Sequence, residues 1–320
     1  MRIVVIGAGI AALQHIPEIL FNKEFQLVAL CSQSIEKCKY TASYFGINHA
    51  YDSVEKMFTE HSVDGCLIAV PPKFVYSIFA KAASYVNNFI IEKPFLETLG
   101  TISNVEINLL NSKKIVIIYP RRYKLGWVHT KKWIEENKIG EIKTINCIWK
   151  GPYYERFSIR GKTYLSQPHL RSRGVLLDSG SHIIDYIHYI SGEVFYPKIQ
   201  KLVFDKNIRV EYEGFIKLKS CSGICARLLI CNSDVLKHET RTVSIIGTKG
   251  KIFIDDIASH LYSNHEIKEI IRHDYIHSPV NDLLLMYKNK EEKILGANLN
   301  DGMKVIECID QIYNLNNLNK

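Results

Sequence analysis

The segment that most constrains the fold is the beginning of the chain, where a strand, a glycine-rich turn, a helix and a second strand follow one another. Arg2 to Ile6 is an apolar run typical of a strand, and Gly7 to Ala12 continues it with the pattern GxGxxA. Ala11 to Phe21 is predicted to be helical and Phe25 to Cys31 to be the second strand. A glycine turn between a strand and a helix lets a pyrophosphate approach the helix N-terminus. The segment therefore predicts a dinucleotide-binding βαβ unit.

The residues expected to contact the dinucleotide follow the carboxyl ends of the predicted strands: Gly7, Gly9, Ile10, Ala11, Ser32, Gln33, Lys37, Val70, Pro71, Pro72, Glu92 and Lys93. An acid at the end of the second strand usually binds the adenosine ribose of NAD, but this chain has Ser32 there. A hydroxyl with Lys37 and Lys39 nearby tolerates a 2′-phosphate, which favours NADP over NAD. The two lysines also fit an ordinary solvated helix face, so both cofactors stay open.

A lysine follows a later strand of the same α/β alternation. Gly65 to Val70 and Phe89 to Ile91 read as strands separated by a helix at Phe74 to Val86, and Glu92-Lys93-Pro94 comes directly afterwards. Ligands of open α/β sheets lie across the carboxyl ends of the strands, so Lys93 is expected beside a nicotinamide ring, where it can act as an acid or a base. Taken alone, a lysine at such a place is usually solvated surface.

A second candidate site lies at Gly174 to Asp185, with the sequence GVLLDSGSHIID. Isoleucines recur at helical spacing after it, so we expect the segment to open or form a helix. On that spacing Asp178, His182 and Asp185 share one face. An imidazole beside a carboxylate is a plausible proton-transfer pair, because its pKa is near neutrality. The alternative is that His182 only satisfies a hydrogen bond at a helix start.

Composition limits the class of protein. The chain has 320 residues, enough for two domains, with 47% hydrophobic and 23% charged residues, typical of a soluble globular protein. No apolar run has the length of a membrane span and the first residues lack a leader pattern, so a cytoplasmic location is expected. The eight cysteines are scattered, which suggests reduced core residues. Cys221, Cys225 and Cys231 lack a CxxC pair, and no metal site is expected.

The least regular part of the sequence is also strongly basic. Residues 150–173 contain one acid, Glu155, against six cations: Lys150, Arg156, Arg160, Lys162, Arg171 and Arg173. Aromatic residues alternate with them: Tyr153, Tyr154, Tyr164 and His169. Cations and aromatic faces beside a pocket suit an anionic sugar, such as a nucleotide-linked sugar or a sugar acid. The alternative is a solvated basic loop. The net charge of +8 is not accompanied by a nucleic-acid-binding motif, so nucleic acid is not an expected partner.

Three motifs together resemble the Gfo/Idh/MocA family of NAD(P)-dependent oxidoreductases: GAGIAA at residues 7–12, IIEKP at 90–94 and LLDSGSHIID at 176–185. Arg121 to Tyr123 resembles the RRY segment of that family, and Val243 to Ile254 its glycine-punctuated hairpin. The resemblance implies an α/β protein with a Rossmann domain at residues 1–120 and a domain with a large, mostly antiparallel open sheet at 121–320. It also implies an active site between the domains and a homodimer or homotetramer built through that sheet.

The resemblance further implies roles for individual residues. Lys93 matches the lysine of the EKP motif, and Asp178 and His182 match its DxxxH pattern; family members use these groups to move a hydroxyl proton during hydride transfer. Glu92 is expected to act near the cofactor, more structurally than chemically. The expected substrate contacts are Lys93, Arg122, Tyr123, Tyr153, His169, Arg173, Asp178 and His182. Departures from the family pattern occur at Ser32, Val75, Val86 and Arg173.

These observations predict an oxidoreductase that interconverts a secondary alcohol and a ketone on a sugar or a sugar-derived, anionic substrate. Two alternatives stay open. One is a non-catalytic homologue that senses the dinucleotide, although it would have no chemical need for Lys93, Asp178 and His182 together. The other is a reductase of an imine or another non-sugar substrate on the same fold.

Overall fold

The computed structural model describes residues 1–100, 102–157, 164–170 and 172–318. The chain forms two compact units. The first comprises Met1–Leu96, Thr101–Tyr119 and His277–Gly302, and the second comprises Glu97–Gly100, Pro120–Ile276 and Met303–Lys320. The sequence predicted a single boundary near residue 120, whereas residues 277–302 join the first unit because their short strand pairs with its sheet.

The strands are β1 (Arg2–Ile6), β2 (Gln26–Cys31), β3 (Ala50–Tyr51), β4 (Gly65–Ile68), β5 (Asn88–Glu92), β6 (Lys114–Ile118), β7 (Ile142–Pro152), β8 (Phe195–Phe204), β9 (Glu211–Ser220), β10 (Cys225–Ser233), β11 (Thr240–Gly247), β12 (Lys251–Ile254), β13 (Ala258–Ser263), β14 (Glu266–Arg272) and β15 (Ala297–Asn298).

The α-helices are α1 (Ile10–Phe21), α2 (Ile35–Phe45), α3 (Val54–Glu60), α4 (Pro72–Ala82), α5 (Asn104–Asn111), α6 (Leu125–Glu135), α7 (Tyr153–Phe157), α8 (Ser181–Ser191), α9 (Asn281–Tyr287) and α10 (Leu299–Leu318). Ser34, Ser53 and Ser103 cap α2, α3 and α5 by accepting a backbone hydrogen bond. None of the described helices combines the length and the apolar character that a membrane span requires.

The sheet of the first unit has the order β15-β6-β5-β4-β1-β2-β3, and all its pairs are parallel except β15 with β6. The central strands are apolar almost throughout, as expected for parallel strands with both faces covered. Because parallel strands end at one edge, the residues after β1, β2, β4 and β5 lie along the same side of the sheet. That edge carries the glycine turn and Lys93.

The sheet of the second unit has the order β14-β13-β12-β11-β7-β10-β9-β8. Only the pairing of β7 with β10 is parallel, and the other pairs are antiparallel. The two sheets confirm the predicted fold class, a Rossmann unit followed by a unit with a large, mostly antiparallel sheet.

One face of the second sheet leaves apolar side chains exposed. The alternation of β7, β9 and β11 buries one set of residues, with α8 packed against β7, and turns the other set outward. Ile148, Phe215 and Ile246 belong to the outward set, and 38%, 42% and 42% of their respective surfaces are exposed.

Candidate active site

The glycine turn after β1 has the geometry that a phosphate needs. Gly7 has φ of +126°, its N–H donates to the Cys31 carbonyl over 2.8 Å, and a Cβ atom there would lie 2.1 Å from the Ala69 carbonyl oxygen. A Cβ atom on Gly9 would meet nothing within 4 Å, and α1 begins at Ile10 without a side-chain cap. The first turn of α1, including Ala11, therefore faces open space with its N–H groups, so these residues fit the pyrophosphate of a dinucleotide.

The contrast between the two glycines gives a prediction. Gly9→Val is expected to fold normally but to weaken dinucleotide binding at least about tenfold, since the side chain occupies the space in front of the helix. Gly7→Ala is expected to lower the melting temperature, because a side chain there meets backbone. Thermal unfolding and titration of the reduced dinucleotide by fluorescence measure both effects. Unchanged affinity in Gly9→Val would refute this assignment of the turn.

The residues after β2 and β4 occupy the same edge. The Ser32 N–H donates to the Tyr51 carbonyl over 2.9 Å, while the side chains of Gln33 and Lys37 are exposed. Glu36 is the first carboxylate after the strand, and it accepts a hydrogen bond from the Ser34 hydroxyl over 3.1 Å. Val70 and Pro71 are half-buried and Pro72 is the first residue of α4, where a missing N–H costs nothing.

The Glu92-Lys93 pair at the end of β5 is fixed by a residue that the sequence analysis did not select. One oxygen of Glu92 accepts the Lys93 backbone N–H over 3.1 Å, and the other lies 2.6 Å from His15 Nε2. His15 Nδ1 lies 3.3 Å from a Glu18 oxygen. Burial alone would lower the pKa of His15, but the hydrogen bonds and charges of Glu18 and Glu92 raise it to about 9. In the sequence, His15 could have been selected because it is a polar residue at a position of α1 that helical spacing predicts to be buried.

In the second unit, the Asp178 segment begins with a wide turn. Leu176–Gly180 forms a single π-type turn, and α8 continues from Ser181. Such a turn contains more residues than an α-helical turn. The side chains of Asp178 and Asp185 are therefore not held on one face as regular α-helical spacing would predict. Asp178 is buried in an ion pair with Arg156, whereas Asp185 pairs with Arg122. Thus the two acids expected on one face bind different arginines.

Asp178 and His182 belong to one cluster around Trp149. Arg156 binds Glu239 as well as Asp178, and the Trp149 Nε1–H donates to Glu239 over 2.6 Å. The ring centroid of His182 lies 5.3 Å from that of Trp149, with the planes inclined by 33°. The half-buried His182 is therefore held beside an indole whose polar edge is bound to the same carboxylate that binds Arg156.

Arg121 is a further member of this cluster. Its guanidinium lies 5.1 Å from the Trp127 ring and 4.5 Å from the Trp149 ring, and Arg241 lies over the Trp149 ring at 4.9 Å. Within the part of the chain that the structure describes, Arg121 has no hydrogen-bond acceptor or ion-pair partner for its side chain. Both arginines line a small cavity bounded by β7, β11, α6 and α8. Burial, with the charge of Arg241, lowers the pKa of Arg121 to about 10, so Arg121 stays cationic at neutral pH.

Several predicted substrate contacts instead hold the second unit together. Arg122 is 5% exposed and bound to Asp185, and Tyr123 is fully buried. Arg173 pairs with Asp310 over 2.6 Å and donates to the Glu97 carbonyl over 2.7 Å. These placements favour a structural role for all three.

The remaining predicted contacts differ in their surroundings. The Tyr153 hydroxyl donates to Asp205 over 3.0 Å, and Lys150 is half-buried on β7. His169 lies exposed in the turn Pro168–Leu170. Arg160, Lys162 and Arg171 lie outside the described residues.

Glu211 fixes the chain just before Asp178 and was also missed by the sequence analysis. Its carboxylate accepts the N–H groups of Gly174 and Leu176 over 3.1 and 2.9 Å, and the Tyr313 hydroxyl over 2.6 Å. Burial raises the pKa of Glu211, and these hydrogen bonds oppose the shift. A Cβ atom on Gly174 would lie 1.9 Å from the Glu211 carbonyl oxygen, so only glycine fits. The isolated glycine at 174 was the only sequence signal.

The cysteines occur as free thiols, and five are buried as the sequence predicted: Cys31, Cys38, Cys66, Cys147 and Cys308. Cys225 and Cys231 lie half-buried on β10, and Cys221 is exposed.

Comparison with known proteins gives two family matches along the chain. Residues 1–119 match the model described as the oxidoreductase family, NAD-binding Rossmann fold, and residues 127–253 match the GFO/IDH/MocA C-terminal domain. An uncharacterized oxidoreductase of Synechocystis is 23% identical over 195 residues, which cover 60% of this chain and 52% of that relative. An inositol 2-dehydrogenase of Corynebacterium glutamicum is 23% identical over 211 residues, which cover 63% of this chain and 59% of the relative. The chain thus spans little more than half the length of these relatives.

Solved structures share the whole fold. An oxidoreductase from Agrobacterium radiobacter in complex with NAD⁺, L-tartaric acid and magnesium superposes with a TM-score of 0.79 at 18% identity, covering 98% of this chain and 95% of that one. The WlbA dehydrogenase of Bordetella pertussis, in complex with NADH and UDP-GlcNAcA, gives a TM-score of 0.80 at 15% identity with coverages of 98% and 95%. With both family models matched in order, the chain belongs to the Gfo/Idh/MocA family of oxidoreductases.

Proposed function

We propose that this protein is an NAD(P)-dependent oxidoreductase that interconverts a secondary alcohol and a ketone on a sugar-derived, anionic substrate. The observation that carries the proposal is the edge of the first sheet, where Lys93 follows β5 on the side that carries the open glycine turn. In an α/β sheet that edge is where a dinucleotide and its substrate bind. The names of the relatives, an inositol dehydrogenase among them, support the same class of reaction.

In the proposed mechanism, the dinucleotide supplies the site that accepts or donates hydride. Lys93 and His182 are the two candidate groups for the hydroxyl proton, since an amine and an imidazole can each accept a proton and their conjugate acids can donate one. Asp178, held by Arg156, orients the imidazole or binds a substrate hydroxyl. Trp149 limits the movement of the His182 ring, which keeps the base in one orientation.

An anionic substrate is favoured by Arg121 and Arg241. Two guanidinium groups line one cavity and flank the indole of Trp149, and the side chain of Arg121 binds no carboxylate among the described residues. A carboxylate or phosphate of the substrate would satisfy the donors of Arg121, since Arg241 already pairs with Glu239 and Asp256. The guanidinium of Arg121, unpaired within the described part of the chain, therefore favours acidic sugars over neutral polyols.

For the cofactor, Ser32 and Lys37 favour NADP. The residue after β2 that usually binds the ribose hydroxyls is a serine, and the exposed Lys37 lies at the start of α2. A carboxylate would repel a 2′-phosphate, whereas a hydroxyl and an ammonium accommodate it.

We also propose that the sheet face with the exposed residues Ile148, Phe215 and Ile246 builds a homodimer or homotetramer, because an apolar sheet face is commonly covered in an assembly.

The experiment is a turnover assay that follows the absorbance of the reduced coenzyme, with NAD and NADP offered in turn against matched acidic and neutral sugars. We expect kcat/KM to be higher with NADP than with NAD. We also expect kcat/KM to be at least about tenfold higher for the acidic sugar of each pair, which corresponds to the free energy of roughly one charge-assisted hydrogen bond. Arg121→Met is expected to remove the preference for acids, while Arg272→Met, at an exposed position of β14, retains it. Equal kcat/KM for both members would exclude the anionic substrate. Dinucleotide binding without any turnover would favour the sensing homologue.

A further inference from the structure

A relay of polar groups, buried at His15 and Glu92, crosses the first unit and ends at Lys93. The Ser278 hydroxyl donates to a Glu18 oxygen over 2.6 Å, and the same oxygen lies 3.3 Å from His15 Nδ1. His15 Nε2 lies 2.6 Å from Glu92, whose second oxygen accepts the backbone N–H of Lys93 over 3.1 Å. Both His15 and Glu92 are buried. The relay therefore joins α1, the end of β5 and the segment before α9.

The geometry determines the charge of the ring. A neutral imidazole has one N–H and one lone pair, but both ring nitrogens of His15 face carboxylate oxygens, which accept and do not donate when ionised. An imidazolium donates to both, and a charge-assisted hydrogen bond is about twice as strong as a neutral one. The cationic ring accordingly satisfies both carboxylates, of which Glu92 is buried and Glu18 is partly exposed.

We propose that His15 is a positioning residue for Lys93, which it orients through Glu92. The cationic ring holds one oxygen of Glu92, so the other oxygen stays directed at the Lys93 N–H and fixes the backbone from which the lysine side chain extends. This role rests on the proposed function of Lys93 as an acid–base group. A small displacement of a reacting group lowers turnover strongly, by about 100-fold for 1 Å, which is why fixing this backbone matters.

The role predicts a pH dependence. The charged groups that face His15 are Glu18 from its own helix and Glu92 from β5, while Lys93, His277 and Asp282 lie on the adjoining segments. The pKa of His15 in the folded protein is about 9, above the ordinary 6.5. The imidazolium therefore supports both the fold and the lysine fully below about pH 6.5, and this support is lost as the pH rises through about 9. Turnover should fall on the alkaline side accordingly.

The test compares the wild type with Glu18→Gln, His15→Gln and His15→Leu in the coenzyme absorbance assay, and it follows the histidine ring signals by NMR. Glu18→Gln removes one of the two charges that raise the pKa of His15, so the NMR titration of His15 and the alkaline limb of kcat should move together to lower pH. His15→Leu should lower kcat about tenfold to 100-fold with KM and dinucleotide affinity within about twofold. His15→Gln, which can still donate to Glu92, should recover part of the loss. Gln14→Leu, at an exposed position of the same helix, is the matched control.

Three outcomes would overturn the role of His15: a titration of its ring near pH 6.5, an alkaline limb that stays in place in Glu18→Gln while the ring titration moves, or equal kcat in His15→Gln and His15→Leu. Lys93→Met is measured beside them to separate this role from the proposed function. Near-normal turnover in Lys93→Met would overturn the proposed site itself. An inactive Lys93→Met together with one of the three outcomes would overturn the role of His15 alone.

Discussion

Replacement of Asp185 by alanine is expected to lower the free energy of unfolding of the second unit by about 3–5 kcal/mol, because the buried Arg122 guanidinium loses its paired carboxylate. The pair is bidentate, with Nη2 to Oδ1 at 2.7 Å and Nε to Oδ2 at 3.1 Å. Removing one member of a buried pair leaves a charge that water does not solvate. Urea unfolding followed by tryptophan fluorescence measures the effect in this unit, since Trp127, Trp133 and Trp149 all belong to it.

Two further variants test the physical reason for that loss. Arg122→Met combined with Asp185→Leu removes both charges and should recover much of the stability, because a buried ion pair can be replaced by apolar groups of similar volume. Glu141→Ala breaks an ion pair with Lys143 at the surface and should leave the unfolding midpoint nearly unchanged. If Asp185→Ala has the same urea midpoint of unfolding as the wild type, Arg122 is not held by this pair. The predicted contact between Arg122 and the substrate would then be favoured again.

Lys93→Met and His182→Ala are each expected to lower kcat by about 10²–10⁴-fold, the usual contribution of a positioned acid or base. Dinucleotide affinity should persist in both, because the glycine turn is unaltered. The measurements are steady-state turnover with an acidic sugar and titration of the reduced dinucleotide. The variant with the larger loss identifies the group that carries more of the proton transfer.

Controls for these two variants come from exposed residues of the same type. Lys81→Met removes a lysine that pairs with Glu55 at the surface, and His49→Ala removes an exposed histidine. Both should turn over at the wild-type rate. Near-normal kcat in Lys93→Met and in His182→Ala would reject the proposed pair of groups, and an equal loss in the controls would point to general destabilisation.

Local motifs could be predicted because each depends on consecutive residues. The apolar run of β1, the glycine turn and α1 were identified within one residue of their observed bounds. The hairpin of β11 and β12 was predicted from the family resemblance. Other elements were absent from the prediction: β3, which has two residues, and α5 with β6, although β6 is an apolar run of the same kind as β1. A two-residue strand has no periodicity to detect, and its pairing with β2 depends on tertiary packing.

The sequence by itself predicted the fold class, the glycine turn and the candidate groups Lys93, Asp178 and His182, because spacing within a segment reports local conformation and burial. Only the tertiary structure decided which charges meet. Arg122 binds Asp185, 63 residues away, and His15 reaches Glu92, 77 residues away. The wide turn at Leu176–Gly180 then separated the partners of Asp178 and Asp185. Buried charges take partners wherever packing brings them together, and periodicity along the chain carries no information about that choice.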